Sequence, residues 1–238
     1  MKKQLANFFT LLNMFCGLLA IWQAMNGQME IACLLILLGG IFDFFDGFVA
    51  RALNASSELG KQLDSLSDVI TFGAAPSIII AYFVKLALLD KGYMLSPTEM
   101  MIAVSPCFIN ALFAGLRLAK FNIDERQGTS FYGLPSPSNG MFFASICWLL
   151  VTNQQAYLFM SNNFYLYYVL ILLFSFLMIG EFQLFGLKFK QYTWNGNEAK
   201  ILFLLLCISL VLWLGISGLS LCIVLYIITS LTAKKYFI

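Results

Sequence analysis

Long apolar runs decide what this chain can fold into. Eight of them, about 16–25 residues long, are separated by more polar stretches. They cover 8–25, 31–50, 64–88, 98–118, 137–153, 163–182, 199–214 and 218–233. A run of that length crosses hydrocarbon as an α-helix, because lipid offers the backbone no hydrogen-bond partner. The chain is 61% hydrophobic and only 11% charged, where a soluble domain carries about a quarter charged residues. Period-two alternation is absent, which argues against a β-barrel. The expected fold is all-α: a polytopic transmembrane helical bundle of about eight spans, forming a single integral membrane domain over 1–238. The last two spans are joined by a short turn from Gly215 to Gly218.

Lysine and arginine placement sets the orientation. With the N-terminus in the cytoplasm, that side holds Lys2, Lys3, Arg51, Lys61, Arg117, Lys120, Arg126, Lys188, Lys190, Lys200, Lys234 and Lys235. The other side keeps Lys85 and Lys91. Both termini are then cytoplasmic, as an even span count requires. The N-terminal segment has the basic start of a signal sequence but no small-residue cleavage site, and is read as a retained first span. The outer breaks, Asn26 to Glu30, Asp90 to Glu99 and Thr152 to Asn163, read as connectors. The net charge of +2 carries no signature of nucleic-acid binding, and no nucleic-acid partner is expected.

Charge is scarce in this chain, yet four carboxylates fall within one short stretch: Asp43, Asp46, Asp64 and Asp68. Gly47, Ala50, Arg51 and Gly60 lie among them. Helical spacing puts Asp43 and Asp46 on one face, and Asp64 and Asp68 on another. If the two pairs converge, their charges repel strongly, and a divalent cation relieves the repulsion. Oxygen-only ligands favour a hard ion such as Mg²⁺, Mn²⁺ or Ca²⁺ over zinc. Four carboxylates suffice for two ions about 3.5–4 Å apart, an arrangement suited to displacement at phosphorus. The chain has no histidine, so metal and acid–base work fall to carboxylates. The six cysteines lie in apolar runs and read as packing residues. Gly47 and Ala50 clear the face beside Asp43 and Asp46, and Gly60 does the same one turn before Asp64. The guanidinium of Arg51 suits a phosphate oxygen or a nucleobase carbonyl. The alternative is that Asp64 and Asp68 sit near the start of the third helix and merely complement its dipole.

These residues, at this spacing, match every fixed position of the CDP-alcohol phosphotransferase signature, and the chain resembles that family. The resemblance implies a six-helix core, here about 1–185, followed by two additional spans over about 199–233. It also implies a homodimer and two divalent cations at the cytoplasmic boundary. Asp43, Asp46, Asp64 and Asp68 would be the metal ligands, with Asp68 also the catalytic base. Gly47, Ala50, Arg51 and Gly60 would contact the CDP moiety. Attack of an acceptor hydroxyl on the lipid-bearing phosphorus would release CMP.

Two further stretches are similar to the bacterial membrane-spanning phosphatidylserine synthases within that family. One holds Arg117, Lys120 and Asn122; the other runs from Phe131 through Gly133, Leu134, Pro135 and Pro137 to Ser138. The start of the first span, with Asn7, Thr10, Asn13 and Gly17, is similar to the same group. Lys120 stands where arginine is common, and Ser138, Asn139 and Gly140 replace an alanine run with no evident chemical consequence. The resemblance implies CDP-diacylglycerol and L-serine as substrates. Arg117, Lys120 and Asn122 are the candidate contacts for serine, whose carboxylate needs a cation or amide donor. Anchoring to lipid headgroups is the other use that fits Arg117 and Lys120. Asn7, Thr10 and Asn13 share one face of the first helix and suit either the nucleotide or interhelical hydrogen bonds. Glycerol 3-phosphate or inositol phosphate as acceptor would call for a denser basic pocket. A divalent-cation transporter would place its acids near mid-membrane instead.

Overall fold

The computed structural model describes residues 2–55, 57–123, 131–184 and 198–232. Arg126, Lys188, Lys190, Lys234 and Lys235, five of the charges that set the orientation, lie outside these residues. The chain is a bundle of helices. α1 (Lys2–Met25) and α2 (Met29–Ala52) form an antiparallel pair, with the Phe9 ring against Phe42 and Phe45 and Asn13 against Gly39. Next, α3 (Glu58–Asp68), a π turn (Val69–Ala74) and α4 (Ala75–Asp90) form one span of 33 residues. α5 (Pro97–Val104), a 3₁₀ turn (Ser105–Phe108) and α6 (Ile109–Ile123) form another, of 27 residues. α7 (Ser136–Thr152) follows, then α8 (Gln154–Asn162), bent 90° from α9 (Tyr165–Ile179). The last two helices are α10 (Glu198–Leu214) and α11 (Gly218–Thr232).

Among the described residues, five stretches are long and apolar enough to cross a membrane, and six with the bent α8–α9 pair. One of the five, Lys200–Thr232, folds back on itself. Phe203 packs on Tyr226, and the Cys222 thiol donates to the Cys207 carbonyl. In a straight helix, residues 203 and 226 would stand roughly 35 Å apart. The turn at Gly215–Ser217 therefore divides it into two helices, α10 of 17 residues and α11 of 15, and α7 has 17 residues as well.

Three local expectations change. The stretch Thr152 to Asn163 is not an irregular connector: it holds α8, capped where the Asn153 side chain accepts from the Ala156 N–H. The third span begins at Glu58 rather than 64. Ser57 is its N-cap, its Oγ accepting from the Gly60 N–H at 3.1 Å. A two-residue antiparallel pairing, Phe131 with Leu184 and Tyr132 with Gln183, adds a trace of β structure. It ties the entry of α7 to the exit of α9. Gly133 allows this with a φ of +72°, donating to the Phe182 carbonyl, and Leu134 donates to Leu177.

The π turn has a sequence cause. In an α-helix the Phe72 carbonyl would take its bond from residue 76, but Pro76 has no N–H, and its ring would crowd that carbonyl. Widening the turn relieves the crowding. Neighbouring side chains then bond to the carbonyls at the break: Asn139 Nδ2 donates to Phe72 (3.3 Å), Asn110 Nδ2 to Gly73 (3.3 Å), and Ser77 Oγ to Gly73 (2.7 Å). Helices close tightly on this point. A Cβ at Gly17 of α1 would lie 2.8 Å from Thr71 Cα, and one at Gly140 of α7 would lie 2.8 Å from Phe72 Cα. Asn139 and Gly140, read from sequence as a departure without chemical consequence, thus brace the turn. Gly140→Ala is expected to destabilise the bundle by about 1–3 kcal/mol through overpacking, measured as a lowered thermal midpoint of the detergent-purified protein.

Candidate active site

α1 packs along both α2 and α3 and holds the C-terminal part of α2 near the N-terminal half of the α3 span. That brings Asp43 to Asp64 and Asp68. Their carboxylate oxygens lie within 4.8 Å of one another. These three acids converge, and all four lie within helices rather than in a loop. The helix-start alternative for Asp64 and Asp68 fails on geometry: the cap is Ser57, and the acid in the first turn is Glu58. Asp46 stands outside the tightest set. One short turn further along α2, it faces a neighbouring cavity, and its buried Oδ2 has no hydrogen-bond partner.

That cavity has a volume of about 580 Å³, within the usual range for small-ligand sites. Asp46, Gly47, Ala50, Arg51, Gly60 and Asp64 all line it, so every residue the resemblance gives to the CDP moiety reaches one space. The open faces of Gly47 and Gly60 are close to polar groups. A Cβ at Gly47 would sit 3.2 Å from an Arg51 guanidinium nitrogen, and one at Gly60 would sit 3.1 Å from the Asn7 amide oxygen.

α1 supplies the polar floor. Asn7 and Thr10 line the cavity, and Asn13 Nδ2 donates to Asp68 Oδ1 at 3.4 Å. The Thr10 and Asn13 carbonyls accept from Ser67 and Thr71. The polar face of α1 therefore serves the site and the helix contact together.

The three candidate acceptor residues are not brought to one point. Arg117 is buried beside the acids, and its charge acts on Asp68 and Asp43. Its guanidinium donates to Ser136 Oγ at 2.9 Å and lies over the Phe121 ring, while its Nε is buried without a partner. Asn122 is engaged with α3: its Nδ2 donates to Ser65, and its carbonyl accepts from Lys61. Lys120 is exposed. Ser136 emerges as a site residue that sequence reasoning did not single out. Its signal was faint, a serine just after Pro135 at a helix start.

Three carboxylates this close, with Arg117 the buried cation beside them, leave negative charge in excess inside an apolar bundle. An all-oxygen donor set with an unpartnered Asp46 oxygen nearby fits a hard divalent cation. Such a centre, opening on a nucleotide-sized cavity at one end of a transmembrane bundle, describes a multi-pass membrane enzyme acting on a phosphorylated substrate. The chain belongs to the CDP-alcohol phosphatidyltransferase family, which matches residues 3–175. It is 34% identical over 224 residues to a CDP-diacylglycerol–serine O-phosphatidyltransferase of Helicobacter pylori, covering 93% of this chain and 87% of that one. A protein of the same name from Bacillus subtilis is 40% identical over 132 residues, 56% of this chain and 68% of that one. An archaetidylserine synthase of Methanothermobacter thermautotrophicus is 38% identical over 135 residues, 56% of this chain and 53% of that one.

The cavity generates a direct expectation. Gly47→Leu displaces the Arg51 guanidinium and fills the space beside Asp46, so binding of CMP should weaken by about tenfold or more. Calorimetric titration of the purified protein measures it.

Proposed function

We propose that this chain is a phosphatidylserine synthase, transferring the phosphatidyl group of CDP-diacylglycerol to the hydroxyl of L-serine and releasing CMP. The observation that carries the reading is the convergence of Asp43, Asp64 and Asp68 beside a cavity lined by Gly47, Ala50, Arg51 and Gly60. The names of the relatives support the choice of serine. Asp43, Asp46, Asp64 and Asp68 hold two divalent cations, Mg²⁺ or Mn²⁺. When bound, these stabilise charge on the pyrophosphate and make CMP a better leaving group.

The chain's own residues do the rest. Gly47, Ala50 and Gly60 let the nucleotide approach the backbone, and Arg51, exposed at the cavity rim, holds a phosphate oxygen or the base. Asp68 takes the proton from the serine hydroxyl as that oxygen attacks phosphorus. Asn13 orients the Asp68 carboxylate through its hydrogen bond. Arg117 receives the serine carboxylate, which its charge, its burial and its unpartnered Nε favour. Lys120 and Asn122 contribute around it, Lys120 at the surface and Asn122 through the α3 contact.

The protein acts in the cell membrane, as a homodimer, with both termini and the site on the cytoplasmic side. Arg51, Lys61, Arg117 and Lys120 belong to the helix ends around the site, while Lys85 and Lys91 lie toward the opposite end of α4. The chain works as one membrane domain, with a catalytic core over about 1–185. The C-terminal pair braces that core where Ser145 Oγ donates to the Ile216 carbonyl and accepts from the Ser220 N–H.

Purified protein given CDP-diacylglycerol and a panel of acceptors should release CMP with serine, and Asp64→Asn should lower that rate at least roughly a hundredfold. Release with glycerol 3-phosphate or inositol phosphate but not serine would refute the acceptor assignment. Chelator should abolish the rate, and Mg²⁺ or Mn²⁺ should restore it. Arg117→Ala should raise the KM for serine about tenfold and that for CDP-diacylglycerol much less; steady-state kinetics separates the two.

A further inference from the structure

The π turn at Val69–Ala74 immediately follows Asp68, and among the described residues the two asparagines that bond to its carbonyls, Asn110 and Asn139, make no hydrogen bond to the four acids. Asn139 Nδ2 donates both to the Phe72 carbonyl and, at 2.9 Å, to Asn110 Oδ1, while Asn110 Nδ2 donates to the Gly73 carbonyl. Both asparagines are fully buried. The pair supplies a donor where Pro76 cannot.

A π turn holds one more residue than an α turn. Relaxing it to α geometry would rotate α3 against α4 by about 100° and shift it by about 1.5 Å. Asp64 and Asp68 ride on α3, whereas Asp43 rides on α2. Such a rotation would carry Asp64 and Asp68 away from Asp43 and part the oxygens that now lie within 4.8 Å of one another.

We propose that Asn110 and Asn139 are positioning residues of the carboxylate site. Together with Pro76 they keep the turn after Asp68 wide, and so hold Asp64 and Asp68 toward Asp43. They act through the backbone and contact neither substrate nor metal. The inference rests on reading the carboxylates as a metal centre.

Mn²⁺ binding to the detergent-purified protein, followed by the electron paramagnetic resonance of the free ion, tests it without turnover. Asn139→Leu and Asn110→Leu are each expected to weaken Mn²⁺ binding roughly tenfold to a hundredfold. The double variant should be little worse than either, because the two amides act as one unit. Ser145→Ala, on the same helix but bonded to the C-terminal pair, is the comparator: its thermal midpoint falls while its Mn²⁺ affinity stays that of the wild type. Leucine variants that are folded and bind Mn²⁺ as tightly as the wild type overturn the proposal. Where Asn139→Leu does not fold, Asn110→Ser and Asn139→Ser carry the test, and unchanged affinity in both overturns it equally. A wild-type protein that binds no Mn²⁺ instead removes the metal-centre reading itself.

Discussion

Negative charge crowded into an apolar bundle is the constraint on which the rest of this structure depends. Asp43, Asp64 and Asp68 present oxygens within 4.8 Å of one another, in surroundings where each charge is costly to bury. The neighbouring helices answer that cost with polar groups. α1 turns Asn7, Thr10 and Asn13 inward, and α6 brings the buried guanidinium of Arg117, held by Ser136 from α7. What remains is an excess of oxygen donors and an open cavity beside them, which is what binding a divalent cation and a diphosphate would require.

The helices approach closely next to these acids. Carboxylates from α2 and α3 can meet only if the helices around them pack near backbone contact. Gly17 and Gly140 permit that approach to Thr71 and Phe72. The break introduced by Pro76 lies at the centre of this packing. Its carbonyls bond to side chains from α6 and α7, so the span that carries Asp64 and Asp68 is fastened to both. α7 is in turn fastened to the C-terminal hairpin through Ser145. Packing is thereby continuous from the last two helices to the acids.

Much of this was legible in residue order. The apolar runs became the helices of a membrane bundle, and the short link after Leu214 became a reversal. The four acids, Gly47, Ala50, Arg51 and Gly60 came to adjoining positions because helical spacing is local and regular. Other features were illegible because they depend on contacts between distant residues. The start of α3 at Glu58 was masked by its polar first turns, which carry no apolar signal. α8 was read as a connector because nine polar-flanked residues do not make a periodic pattern. Asn139 was read as a departure without chemical consequence, because its partner, the Phe72 carbonyl, lies 67 positions away.

The sequence by itself determined a membrane-spanning helical bundle and the chemical character of its site, since run length, charge scarcity and carboxylate spacing are local properties. Only the tertiary structure decided how the acids divide, with Asp43, Asp64 and Asp68 in one tight set and Asp46 turned to the cavity. It alone separated Arg117, buried beside the acids, from Lys120 at the surface. The physical reason is rotational. The orientation of one helix face against another depends on packing at the π turn and its asparagines, and no spacing along a single helix records it.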